Sequence, residues 1–209
     1  MSEREPTRRC FVAVPIGDQL RADLAAAVDA WRLERDAPNL RWTDPDGWHV
    51  TLAFLGQVPP SLVAPIEDAL SSVSRRSMAF RLASGRLGAF PSPNRARVIW
   101  YRIENDGARL ALLAHEVQSA LAPLVPRLAD APSFRPHLTL ARARDERGLR
   151  LADWLARREA PVGSIEVDRV VLYRSHLGRG PAQYEPLVSL PFGVPSRAND
   201  PVKEASVHG

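Results

Sequence analysis

One short string occurs twice. His49-Val50-Thr51-Leu52-Ala53 returns 88 residues later as His137-Leu138-Thr139-Leu140-Ala141, and both copies read His-x-Thr-Leu-Ala. Each lies in a run rich in Val, Leu and Thr, so each predicts a β-strand. Side chains at i and i+2 of a strand share a face, about 6.5–7 Å apart. His49 and Thr51 therefore point one way, and Val50 and Leu52 point the other way, into a core. His137 and Thr139 stand in the same relation to Leu138 and Leu140. A duplicated strand at this separation predicts two related lobes, each giving one strand to a shared cleft.

The rest of the chain supplies a mixed frame. Cys10–Val14 reads as a buried strand, and Asp18–Leu33 as a helix with Leu20, Leu24, Ala27, Val28 and Trp31 at helical spacing. A short strand is expected at Leu40–Trp42, the first motif strand at His49–Leu55, and a helix at Pro60–Ser74 with Pro65 tolerated near its first turn. Ala79–Leu87 and Ala96–Ile103 predict two strands joined by a loop from Gly88 to Asn94. An amphipathic helix follows at Gly107–Leu124, then the second motif strand at His137–Ala141 and a short helix at Leu149–Arg158. Ser164–Tyr173 and Tyr184–Leu190 predict the last strands. Short links between neighbouring strands argue for antiparallel pairing, hence an α+β fold rather than a doubly wound parallel sheet. We expect one domain over residues 1–193 and a polar, aperiodic, disordered tail over 194–209.

Composition narrows the setting. The single cysteine, Cys10, makes no internal disulfide and no cysteine-based zinc site. No run approaches the roughly 20 apolar residues of a membrane span, and the N-terminus does not read as a signal peptide. The chain is expected to be cytoplasmic. Its net charge is +4, and Lys203 is its only lysine, so 27 of its 28 basic residues are arginine. Guanidinium forks suit phosphate and stack on bases, although most of this bias reads as a general preference for arginine. No G-x-S-x-G, phosphate-binding P-loop or G-x-G-x-x-G is present, so serine-hydrolase, triphosphatase and Rossmann readings lack their minimum parts.

Two imidazoles and two hydroxyls facing one cleft form a constellation for phosphoryl chemistry. One histidine takes a proton from the attacking oxygen and the other gives one to the leaving oxygen. Thr51 and Thr139 are candidate donors to non-bridging phosphate oxygens. No metal or cofactor is required. Phe54 and Arg142 share one offset, five residues after their histidines, and are candidates to sandwich a nucleobase. In a regular strand that odd offset puts them on the wrong face; they reach the cleft only if the strand ends or bulges first. His115 reads as an exposed helix residue, and His176 as a loop residue able to approach a ligand. Arg144, Arg147 and Arg150 read as a solvated charged stretch.

The strings HVTLAFLG at 49–56 and FRPHLTLAR at 134–142, with the opening FVAVP strand and the late stretch VVLYRSHLGRGPAQYEPL, resemble the two-histidine (2H) phosphoesterase superfamily. The resemblance covers about residues 9–192. It is closest in character to the bacterial and archaeal RNA 2′,3′-cyclic phosphodiesterases, historically called 2′-5′ RNA ligases. It implies a bilobal fold of pseudo-two-fold symmetry, with two antiparallel sheets facing a central cleft and helices outside. It also implies hydrolysis of RNA 2′,3′-cyclic phosphate ends to 2′-phosphomonoesters by a monomer, with His49 as acid and His137 as base. The nearly symmetric motifs do not order these roles by themselves. Ligation forming a 2′-5′ linkage, hydrolysis of another cyclic or 2′-5′ nucleotide, and a non-catalytic RNA-end-binding module remain as alternatives.

Overall fold

The computed structural model describes residues 7–36, 38–104, 108–130, 132–176 and 182–193. Gly107, at the head of one expected helix, and the tail 194–209 lie outside these. Among the described residues the strands are β1 (Arg8–Pro15), β2 (Leu40–Trp42), β3 (His49–Val58), β4 (Phe80–Phe90), β5 (Val98–Ile103), β6 (His137–Ala143), β7 (Gly163–Val167), β8 (Arg169–His176) and β9 (Gln183–Pro191). The helices are α1 (Asp18–Arg32), α2 (Val63–Arg76), α3 (Arg109–Leu121) and α4 (Ala152–Ala156). All the strand pairs are antiparallel, giving the expected α+β class.

The strand order is β7-β4-β5-β6-β3-β1-β8-β9, with β2 also on β6. Reading outward from the centre gives β6-β5-β4-β7 on one side and β3-β1-β8-β9 on the other. Each motif strand is thus the innermost of a four-stranded half, and each is reached from its neighbour through a helix: β1-α1-β3 and β5-α3-β6. That correspondence is the pseudo-two-fold relation which the sequence repeat implies. The halves meet through β3 and β6 at the single pair Val50↔Leu138. They therefore form one hydrogen-bonded path with a narrow seam. The apolar residues of the seam face inward: Val50, Leu52, Leu138 and Leu140 are all buried. Helices α2 and α3 pack behind the β3 half, and α1 packs toward β7.

Three local features differ from the sequence reading. Ser164–Tyr173 is two strands, not one: β7 ends at Val167 and β8 starts at Arg169, on opposite arms of the sheet. Asp168 makes the break, its carboxylate pairing with Arg169 and its carbonyl accepting from Phe192 N at 2.7 Å. Gly88-Ala89-Phe90 is strand rather than loop, laddered with Trp100, Ile99 and Val98. The missing Cβ at Gly88 admits the Trp100 ring. The helix expected over 149–158 is only five residues long.

Candidate active site

A cleft of about 1190 Å³ runs across the seam, and His49, Thr51, Phe54, His137, Thr139 and Arg142 all line it. The antiparallel register that pairs Val50 with Leu138 sets His49 opposite Thr139 and Thr51 opposite His137. The four polar side chains therefore make a diamond, with the imidazoles at opposite corners and a hydroxyl beside each.

Both rings are held in the same way. His49 Nδ1 lies 2.6 Å from the Gly47 carbonyl oxygen, and His137 Nδ1 lies 2.6 Å from the Arg135 carbonyl oxygen. A carbonyl only accepts, so Nδ1 carries the proton in each ring and Nε2 is the free nitrogen. Such a partner also steadies an imidazolium, because the donated Nδ1–H strengthens when the ring is charged. Each carbonyl belongs to the residue two before its histidine.

The surroundings of the rings differ. Phe11 stacks on His49 with centroids 4.6 Å apart, and Tyr184 meets it edge-on at 5.0 Å. Tyr173 stacks behind Phe11 at 5.3 Å. His137 has one aromatic neighbour among the described residues, Phe90, edge-on at 5.1 Å. Burial pushes the His49 pKa down to about 4, against the lift from the Gly47 carbonyl, and His137 lowers it further. His137 is also lowered by burial, then by the Arg142 guanidinium, with the Arg135 carbonyl opposing. Both rings are therefore neutral at pH 7.

The motif strands share one irregularity. In β3 the β1 partners step from Ala13↔Thr51 to Val12↔Ala53, leaving Leu52 as an extra residue. In β6 the β5 partners step from Trp100↔Thr139 to Ile99↔Ala141, leaving Leu140 extra. Each β-bulge lets two successive residues, Leu-Ala, face the core. Position five then returns to the histidine face. Phe54 is 57% exposed, an aromatic ring left bare on the cleft side. Arg142 reaches the same space, since its charge acts on both His137 and Tyr184.

Several lining residues carried no sequence signal. Arg9, Arg41, Arg127 and Arg135 join Arg142, against Asp130 as the one acidic side chain among the described residues of the wall. The cleft is therefore a positive field suited to a polyanion. His176 pairs with Glu185 at 2.8 Å and lies outside this lining, and His115 is exposed on α3. Among the described residues no three His, Cys, Asp or Glu side chains gather as a metal-holding group. None of the helices formed by those residues is long and apolar enough to cross a membrane.

Two half-sheets related by a pseudo-two-fold and meeting at a cleft lined by both His-x-Thr motifs place the chain with phosphoesterases of the two-histidine class. The LigT-like phosphoesterase family model matches residues 14–100 and 103–182, and the chain belongs to that family. It is 31% identical over 190 residues to the RNA 2′,3′-cyclic phosphodiesterase of Geobacillus stearothermophilus, a match covering 88% of this chain and 58% of that longer protein. The enzyme of the same name from Aeropyrum pernix is 33% identical over 150 residues, 71% of this chain and 84% of the relative. Escherichia coli LigT in complex with 3′-AMP superposes with a TM-score of 0.64 at 26% identity, covering 90% of this chain and 99% of that one.

Proposed function

We propose that the chain hydrolyses 2′,3′-cyclic phosphate ends of RNA to 2′-phosphomonoesters, without a metal. The observation that carries this reading is the twin Nδ1 hydrogen bond, which leaves one free Nε2 on each side of the diamond. The phosphorus sits between the imidazoles. His137 Nε2 takes the proton of the attacking water as its oxygen bonds to phosphorus. The P–O3′ bond breaks, and O3′ takes the proton of His49 Nε2–H. The products are a 2′-phosphate and a 3′-hydroxyl, with one proton moved from His49 to His137; exchange with solvent resets the pair. Acid and base follow the roles the family resemblance implies.

Thr51 and Thr139 donate to the non-bridging oxygens, where charge is held through the transition state. The phosphodiester anion also supplies the opposite charge that offsets the burial of a His49 imidazolium, so substrate prepares its own acid. Phe54 and Arg142 contact the terminal nucleobase, and the arginine-lined wall holds the preceding backbone. Both motifs come from one chain, so a monomer is the catalytic unit. The names of the relatives and the 3′-AMP bound by LigT agree with this substrate class.

The test is incubation with a chelator and an RNA oligonucleotide ending in a 2′,3′-cyclic phosphate, with products resolved against 2′- and 3′-phosphate standards. A 2′-phosphate that disappears in His49→Ala and His137→Ala is expected. No turnover on this end or on cyclic mononucleotides would overturn the reading.

A further inference from the structure

The paired bulges raise the question of what keeps them. An extra residue disrupts the ladder and leaves its own backbone groups to find partners elsewhere. In β3 the carbonyl oxygen of the extra residue, Leu52, accepts from Gln118 Nε2 at 2.7 Å, a side chain on α3. In β6 the carbonyl oxygen of the extra residue, Leu140, accepts from Thr43 N at 2.8 Å and lies 2.8 Å from Thr43 Oγ1. The same hydroxyl is 2.9 Å from the Thr139 carbonyl oxygen and accepts from Trp48 Nε1 at 2.8 Å. A helix amide and a loop hydroxyl, unrelated in sequence, thus grip the same backbone atom at matching places in the two lobes. Neither belongs to a His-x-Thr-Leu-Ala motif.

We propose that Gln118 and Thr43 are positioning residues that lock the two bulges and so keep Phe54 and Arg142 on the cleft face. The consequence for catalysis rests on the reading above, in which those two side chains contact the nucleobase. A strand without the bulge is in a register one residue away, and such a slip turns position five toward the core. Among the described residues the side chain that holds the β3 bulge carbonyl is Gln118, so its loss acts on Phe54. Thr43 also touches the Trp48 indole next to His49, so it ties one lobe's bulge to the other lobe's histidine.

The experiment has a kinetic arm and a structural arm, both on the full chain. With a nucleoside 2′,3′-cyclic phosphate, Gln118→Met is expected to raise KM about tenfold, the scale of one lost base-stacking contact, while kcat changes less than about twofold. Gln118→Met combined with Phe54→Ala should be no worse than the worse single variant, whereas its combination with Arg142→Ala should multiply. Thr43→Val should show the opposite pairing, and Thr43→Ser, which keeps the hydroxyl, should behave as the wild type. If Thr43→Val fails to fold because the Trp48 N–H is orphaned, Thr43→Ser and the Gln118 pairs decide the matter. In the structural arm, amide hydrogen exchange should quicken around residues 52–54 in Gln118→Met and stay unchanged around 140–142. Matched and crossed pairs that multiply alike, or unchanged exchange at 52–54, would overturn the lock. Should Phe54→Ala and Arg142→Ala themselves leave KM unaltered, the base-contact reading fails. The exchange arm then decides the lock alone: faster exchange upholds it and unchanged exchange removes it.

Discussion

Each motif histidine in this cleft is a compromise between a backbone carbonyl that favours its cation and an apolar wall that opposes it. For His49 the wall wins, which has a cost in acid. An unfolded His49 titrates near 6.5 and the folded one near 4, so between those values the unfolded chain binds more protons. The contribution of the neutral ring is fully present above pH 6.5 and is lost as pH falls toward 4. It amounts to on the order of 3 kcal/mol at that one site. Denaturant titrations at pH 7 and pH 4.5 should show the loss, and His49→Gln should remove that part of the slope. Phosphate or 2′-AMP should raise the His49 titration midpoint in NMR spectra; a midpoint that stays in place would contradict the proposed acid role. His49→Ala and His137→Ala should each lower kcat by about 10²–10⁴. The histidines and threonines were legible because the motif is written twice. Phe11 and Tyr184 were not, because they meet His49 only through strand pairing and packing, which no local pattern encodes.

Among the elements, the two motif strands carry the most information and conceal the most. Period-two reading set His49 and Thr51 on one face correctly, and the same rule sent Phe54 and Arg142 to the other. The trace of the bulge was in plain text: Leu-Ala, two apolar residues in succession inside an alternating strand, in both copies. Asp168 was a similar sign. A polar Asp-Arg pair within an apolar run marks the point where the chain leaves one arm of the sheet for the other. Gly56 ends the β3 motif with φ +74°, and a Cβ there would strike the Arg127 guanidinium that lines the cleft. Gly56→Ala should therefore destabilise the fold by about 1–2 kcal/mol through left-handed strain and should shift Arg127. Thermal melts give the first effect, and a higher KM for an RNA oligonucleotide than for a mononucleotide gives the second. Leu140 is fully buried, so Leu140→Ala should cost about 2–5 kcal/mol in equilibrium unfolding.

At the scale of the molecule, the order β7-β4-β5-β6-β3-β1-β8-β9 explains why class was easier to read than topology. Short strand-to-strand links announce antiparallel sheets, but nothing local says that β7 and β8, adjacent in sequence, lie on separate arms. That crossing also stitches the halves together, and we propose that they unfold as one cooperative unit. Circular dichroism and tryptophan fluorescence should report one coincident transition, and two separated transitions would sink the idea. The arginine-lined wall makes a second expectation: KM for an RNA end should climb steeply with salt, and much less for a cyclic mononucleotide. The symmetry of the seam has a chemical consequence of its own. A pocket with a local dyad has no sense of direction, since turning the diamond half a revolution exchanges His49 with His137 and Thr51 with Thr139. Built from the motifs alone, it would open a cyclic ester toward either hydroxyl indifferently. On the proposed function, regiochemistry is set by what breaks the dyad: Phe54 against Arg142 at position five and, among the described residues, the aromatic contacts, Phe11, Tyr173 and Tyr184 at His49 and Phe90 at His137. On that proposal the paired histidines supply the reactivity and their unmatched neighbours supply the choice.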